Sequence, residues 1–374
     1  MARVLLIAGQ AESLLNFRGD LIAAMQAAGH EVHAAAPDGD VALKQSFAAR
    51  GIVFHPIAMA RTGMNPLVDA KSCYALYRLM RSTKPDAILA YTIKPVIYGL
   101  LSAQLVGIRR RFALITGLGF AFTNSGGGAK RGVLRGVLTL LYKLALRRAG
   151  GVIFQNPDDQ KFFTDAKIVS ARVPTHRVHG SGVNTERFAQ APLPAAPIFL
   201  MVGRVLADKG VREYAAAARI LKSKYPDARC QLLGALDSNP SAITKAELDG
   251  WVKDGAIEYL GVVADVRPAL TAASVFVLPS YREGTSRAAL EAMAMGRAII
   301  STDAPGCRET VEHGVNGLLV HVRDADALAE AMMALARDGA KRERMGSASR
   351  TLAESLYDVR KVNAQMLSIM GLAV

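Results

Sequence analysis

The sequence predicts an α/β chain of two Rossmann-like, doubly wound domains. Three observations carry that expectation. Short apolar runs rich in β-branched residues alternate with helical periodicity along the chain. A length of 374 residues exceeds what one ordinary core holds. A stretch rich in proline and alanine, residues 189–197, interrupts the pattern near its middle and reads as a linker. The first domain is expected over 1–170 and the second over 171–357.

In the first domain, 3–8 is the opening strand. Gly9 to Gly19, which holds Asn16, Phe17 and Arg18, reads as a loop before a helix. It has no G-x-G-x-x-G and so lacks the dinucleotide fingerprint. Strands follow at 31–36, 52–57 and 87–91, with helices near 17–28, 41–50 and 68–81. Asp38-Gly-Asp40 has the form of a metal-binding pair, yet it follows a strand and precedes a helix. A turn and helix cap is the better reading, there and at Asp324-Ala-Asp326. Pro95 suits the first turn of a helix, which sets Lys94 at a helix N-terminus. The helix dipole disfavours a cation there unless an anion joins it. Lys94 is therefore a candidate phosphate contact, the alternative being a plain surface lysine. Arg109-Arg110-Arg111 precedes a strand at 112–116, and Thr116 and Gly117 close it.

Residues 130–148 form the most basic helical segment. Leu134, Val137, Leu138, Leu141 and Leu144 recur at helical spacing. Lys130, Arg131, Arg135, Lys143, Arg147 and Arg148 accompany them with no acid. Such a helix can dock on anionic lipid. A core-packed helix with a basic outer face is the alternative, and both can hold. A strand at 152–155 follows.

The second domain opens with a strand at 198–202 and then Gly203-Arg204-Val-Leu-Ala-Asp-Lys209-Gly210. Two cations at a strand-to-helix turn suit a diphosphate, since they bind charge that grows as a bond to it breaks. A solvated basic loop is the alternative. Strands are read at 230–234 and 257–260, and Asp237 to Ser241 reads as a turn and helix cap. The segment 274–302 is the most informative. The buried run Val275-Phe276-Val277-Leu278 ends at Pro279, a polar turn follows, and a helix with small and apolar residues stops at Gly296. Ligands in such sheets bind at the carboxyl ends of strands. Glu283 sits in the turn and Glu291 about one turn into the helix, so the pair can flank a ligand. The amides of Thr285, Ser286 and Arg287 favour an anion. A capping box would need Ser or Thr at 288, which is alanine.

Composition sets further bounds. Hydrophobic residues make up 51% and mean hydropathy is +0.19, as in a well-packed globular protein. Cys73, Cys230 and Cys307 are far apart, and an odd count fits a reducing compartment. The first residues read as a strand and not a signal peptide. No apolar run reaches transmembrane length. Residues 1–170 hold 21 basic and 10 acidic residues; the remainder holds 25 and 22. The basic first half suggests an anionic partner. Nucleic acid is disfavoured, because aromatics are only 6% and no recognition motif appears.

Taken together, the G-R-x-x-x-x-K-G turn and the Glu283/Glu291 block resemble the signature of retaining glycosyltransferase family 4. The short motif from Gly180 to Phe188 resembles that family's interdomain segment. The resemblance implies a GT-B fold, with two Rossmann-like domains facing a cleft and a final helix, 358–374, crossing back to the first domain. It implies that Glu283 contacts the donor sugar and Glu291 holds the nucleotide ribose. Gly203, Gly284, Thr285, Ser286 and Arg287 would complete the donor site, with Arg204 and Lys209 on the departing diphosphate. Asn16, Arg18, Lys94, Thr116 and Gly117 would face the acceptor. No metal and no cofactor are expected, the nucleotide sugar (a UDP-sugar) being a substrate.

Several phrases resemble bacterial N-acetylgalactosaminyltransferases that extend polyprenyl-diphosphate-linked oligosaccharides: 111–119, 237–241, 277–284 and 305–308. The family's histidine after the fifth strand has no counterpart here, Thr116 standing nearby, and Thr285 replaces a common aromatic. The expected activity is transfer of an N-acetylhexosamine or hexose from a UDP-sugar to a polyprenyl-diphosphate-linked saccharide. Its diphosphate would meet Lys94 and Arg109–Arg111, on the cytoplasmic face of the inner membrane. A GT-B sugar-nucleotide epimerase and a transferase with a soluble acceptor are the alternatives.

Overall fold

Every apolar run read as a strand becomes one in a computed structural model, which describes residues 1–60, 65–118, 129–237 and 241–373. The chain divides into two compact units, Met1–Ser181 with Arg360–Val374, and Gly182–Val359.

The first unit runs β1 (Arg3–Ile7), α1 (Ala11–Ala27), β2 (Glu31–Ala36), α2 (Val41–Ala49), β3 (Val53–Pro56), α3 (Pro66–Thr83), β4 (Ala87–Tyr91), α4 (Ile93–Val106), β5 (Arg110–Ile115), α5 (Ala129–Leu146), β6 (Gly151–Phe154), α6 (Pro157–Asp165) and β7 (Thr175–Arg177). The strands form one parallel sheet in the order β3-β2-β1-β4-β5-β6-β7. β1, β4, β5 and β6 are buried almost throughout, as strands covered on both faces must be.

The second unit runs β8 (Ile198–Val202), α7 (Val211–Lys224), β9 (Arg229–Leu233), α8 (Lys245–Lys253), β10 (Glu258–Gly261), α9 (Arg267–Ala272), β11 (Val275–Leu278), α10 (Arg287–Ala294), β12 (Ala298–Thr302), β13 (Gly317–Val320), α11 (Ala325–Ala336) and α12 (Gly339–Leu356). Its strands are also parallel, in the order β10-β9-β8-β11-β12-β13. The last helix, α13 (Val359–Ile369), lies almost wholly in the part of the chain grouped with the first unit. Asp40 and Asp324 cap α2 and α11, accepting from Leu43 N and Ala327 N at 2.7 and 2.8 Å.

Four readings need correction. The stretch from Gly9 to Gly19 is mostly helix, since α1 starts at Ala11. Gln10 is extended, Ser13 Oγ donates to its carbonyl at 2.6 Å, and Ala11, Leu14, Leu21, Ile22 and Met25 make the buried stripe. Polar Glu12, Asn16 and Asp20 on the outer face hid that stripe. The first unit also runs past 170, because β7 extends the sheet beside β6.

Residues 189–197 do not link the two units; they belong to the second. Fully buried Arg297 donates to Ala191 O at 3.0 Å and Pro192 O at 3.1 Å, and Arg342 to Ala195 O at 2.9 Å. Burial pulls the Arg297 guanidinium down to about 10, so it keeps its charge at neutral pH. The chain instead changes unit after Ser181 and again after Val359. There Val183 N donates to Tyr357 O at 2.8 Å and Val359 N to Val183 O at 2.9 Å.

Finally, Lys94 and Arg109–Arg111 cannot share one diphosphate. Arg110 pairs with Ala87 at the start of β4, whereas Lys94 follows its end. Four residues at about 3.3 Å each separate the two sheet edges by more than about 13 Å. Arg110 donates to Met370 O at 2.7 Å, and buried Arg111 to Ile108 O at 2.5 Å.

Val362, Met366, Leu367 and Met370 pack with Val4, Leu6 and Val32, so the C-terminal residues complete the first unit's core. Met366→Ala should therefore destabilise that unit by about 2–5 kcal/mol, the usual result of truncating a buried methionine. Urea unfolding would measure it, and an unchanged midpoint would show that the helix is dispensable.

Candidate active site

The second unit brings its motifs together through close backbone approaches at the carboxyl ends of its strands. Past β8, the turn from Gly203 to Gly210 lies against the turn past β11. Gly210 has φ +75°, and a Cβ there would stand 2.1 Å from the Pro279 carbonyl oxygen. Tyr281 N donates to Asp208 O at 2.9 Å. Past β12, Gly306 has φ +76°, and its Cβ would stand 2.0 Å from the Glu283 carbonyl oxygen. Glu283 N donates to Pro305 O at 2.9 Å. Only glycine fits these two positions.

This arrangement makes Lys209 and Glu283, 74 residues apart, an ion pair through Nζ and Oε1. Both side chains are largely shielded from water. Arg204 turns to a different carboxylate, Asp237, at 2.8 Å. Of the expected turn and cap over Asp237–Ser241, residues 238–240 lie outside the described residues; the next described helix, α8, is capped by Thr244 in a capping box with Glu247.

Ser286 is the N-cap of α10, its Oγ accepting from Ala289 N at 3.3 Å, and the helix N-terminus therefore opens at the loop that holds Glu283 and Gly284. Thr285 Oγ1 turns back to Gly284 O at 2.9 Å. Glu291 is buried and accepts from Arg287 Nε at 2.8 Å. Burial pushes its pKa up, and the attraction of Arg287 offsets only part of that. Arg187 and Asp265 also act on it electrostatically. The Cys307 thiol, on which Glu283 and Lys209 act electrostatically, is buried and pushed up chiefly by desolvation, which makes it a poor nucleophile.

In the first unit, the structure separates the expected residues into two kinds. Thr116 and Gly117 follow β5 directly, half-buried at the carboxyl edge. Asn16 is exposed on α1. Arg18 is buried with its guanidinium 5.2 Å from the Tyr91 ring centroid, and Tyr91 Oη meets Ser13 Oγ at 2.8 Å. Lys94 does sit in the first turn of α4, and its anion is internal. Asp69 of α3 pairs with it at 2.8 Å, both side chains mostly buried. Sequence reasoning missed the pairings made by Asp69 and Asp237, each of which answers a cation it had singled out. Gly119 and residues 120–128 lie outside the described residues, as do the side chains of Lys130 and Arg131. Among the described residues no group of three or more His, Cys, Asp or Glu is placed to hold a metal ion.

Two parallel-sheet Rossmann-like units in one chain, one carrying a basic turn and a paired-glutamate turn at its carboxyl edge, define a GT-B glycosyltransferase. The family models agree. "Glycosyl transferase 4-like" matches residues 3–156 and "Glycosyl transferases group 1" matches 196–338. A Campylobacter jejuni relative, N,N'-diacetylbacillosaminyl-diphospho-undecaprenol alpha-1,3-N-acetylgalactosaminyltransferase, is 30% identical over 341 residues, 87% of each chain. An Escherichia coli relative, UDP-Gal:alpha-D-GlcNAc-diphosphoundecaprenol alpha-1,3-galactosyltransferase, is 26% identical over 72% of this chain and 71% of its own. Sucrose-phosphate synthase from Thermosynechococcus elongatus shares the fold with a TM-score of 0.82 at 20% identity, covering 99% of this chain and 98% of its own. The chain belongs to glycosyltransferase family 4.

The raised pKa of Glu291 has a definite sign. Folding favours its protonated form, so ionisation costs stability as pH rises from the unfolded value through the folded one. Ligand-free Glu291→Gln should be at least as stable as wild type at pH 7. Its advantage should shrink towards pH 4, as thermal melting across that range would report. A variant less stable than wild type at pH 7, with the deficit closing in acid, would reverse this assignment.

Proposed function

We propose that this glycosyltransferase moves a sugar from a UDP-sugar to a polyprenyl-diphosphate-linked saccharide, with retention of anomeric configuration. The Lys209–Glu283 pair carries the reading: it holds a cation and a carboxylate together at the carboxyl edge, beside the N-terminus of α10. The E. coli relative is named for a UDP-sugar donor, and both relatives for diphospho-undecaprenol acceptors. An N-acetylhexosamine or a hexose is the sugar.

The chemistry divides among these side chains. Lys209, Arg204 and the α10 N-terminus take up negative charge as the bond between the anomeric carbon and the diphosphate oxygen breaks. Glu283 orients the sugar through its hydroxyls. Glu291, already buried and fixed by Arg287, holds the ribose. The acceptor oxygen bonds to the anomeric carbon on the face that UDP leaves, and its proton passes to a phosphate oxygen. Acceptor contacts fall to Asn16, Thr116 and Gly117. Arg18 and Lys94 serve from behind, one against Tyr91 and the other against Asp69. The enzyme works without metal or cofactor, peripherally on the cytoplasmic face of the inner membrane. None of the described helices is long and apolar enough to cross a membrane.

Glu291→Ala should weaken UDP binding by roughly 1.5–3 kcal/mol, the scale of a hydrogen bond to a charged group. Glu283→Ala should lower kcat with a smaller change in UDP affinity. Calorimetric titration with UDP separates the two roles, and equal losses would sink the division. Transfer should also persist in EDTA, because side-chain cations serve the diphosphate. Complete loss in EDTA with recovery in Mg²⁺ or Mn²⁺ would place a metal in the mechanism.

A further inference from the structure

Helix α5 is apolar on two faces, and only one of them packs. Leu138, Tyr142, Ala145 and Leu146 are buried in the first unit's core. On the other side Val133 is 68% exposed, Val137 39%, Leu140 57% and Leu144 44%. Spacings of four, three and four residues put these four on one line along the helix. A row of four branched aliphatic side chains in water marks a surface meant to be covered.

The charges around the row say what covers it. α5 carries no acidic residue. Exposed Lys143 and, just past the helix end, exposed Arg147 lie along one flank of the row. Arg135 takes no part, since its guanidinium lies 5.7 Å from the Phe162 ring centroid. At the C-terminal end of the helix, Gln104 of α4 donates to Leu144 O at 3.1 Å and Ala145 O at 2.6 Å, and the next residue, Leu105, is exposed there too. A second copy of the same face would set these cations against each other. An anionic bilayer meets both features, with acyl chains for the row and phosphates for its flank.

We propose that α5 is an in-plane membrane anchor. Val133, Val137, Leu140 and Leu144 insert at the boundary of headgroups and acyl chains, and Lys143 and Arg147 hold headgroup phosphates. The inference rests on the reading that the acceptor is lipid-linked. It goes beyond attraction between a basic helix and a charged surface, because insertion of apolar side chains survives salt that screens charge.

The test is sedimentation of the full chain with vesicles of phosphatidylcholine and phosphatidylglycerol, at 0.1 M and 0.5 M NaCl. Wild type should bind at both salt concentrations. The triple variant Val137→Gln, Leu140→Gln, Leu144→Gln should bind at least tenfold more weakly at both, with an unchanged melting temperature because all three side chains are exposed. Leu140→Gln alone, the mildest change, should lose at least threefold. Variants that bind as tightly as wild type, or a wild type that leaves the vesicles entirely at 0.5 M salt, would overturn the anchor. So would a lipid-free wild-type dimer that the triple variant converts to monomer. The lipid-linked reading has its own readout in wild-type transfer: it fails if sugar reaches a water-soluble saccharide and never a vesicle-embedded polyprenyl-diphosphate saccharide.

Discussion

The candidate site of the second unit depends on close approaches at Gly210 and Gly306, where backbone meets backbone with no room for a side chain. At Gly210 the turn past β8 touches the Pro279 carbonyl, and at Gly306 the turn past β12 touches the Glu283 carbonyl. These contacts align three strand ends that are remote in sequence. The ion pair between Lys209 and Glu283 follows from them, because each residue is placed by its own main chain. Partly shielded ion pairs contribute little net stability, since desolvation offsets their attraction. The value of this pair is geometric: it fixes the two side chains against each other at the carboxyl edge.

Carboxylates answer the singled-out cations in each unit separately. Lys209 pairs with Glu283, Arg204 with Asp237, Arg287 with Glu291, and in the first unit Lys94 with Asp69. No cation of these four pairs therefore stands bare, each already facing a carboxylate. The Arg204 side chain is about half exposed, whereas Lys94 is mostly buried. Lys94 and Asp69 thus tie the first turn of α4 to α3, while Arg204 remains open to solvent.

Local pattern carried much of this structure. Strand after strand could be read from buried parallel runs, and the turn with Glu283 and Glu291 stood out because a four-residue apolar run, a proline and a helix start frame it. The caps at Asp40 and Asp324 were equally legible, being interactions over three residues. What escaped was set by contacts between distant segments. Asp237 answers Arg204 across 33 residues and Asp69 answers Lys94 across 25, and no local spacing announces either. Helix α1 was shortened in the reading because Glu12, Asn16 and Asp20 on its outer face hid the buried stripe. The stretch 189–197 has the composition of a linker, yet its carbonyls are held by two arginines more than a hundred residues away.

The first unit is written in the sequence in two pieces, separated by all of the second. On the ribosome, Gly182–Val359 is a continuous segment that can close as soon as it has emerged. The first unit cannot: its apolar surface around Val4, Leu6 and Val32 waits for Val362, Met366 and Leu367. At about 5–20 residues per second that wait lasts roughly ten to forty seconds. The half translated first is thus finished last. Until then it offers an uncovered patch to chaperones or to neighbouring chains.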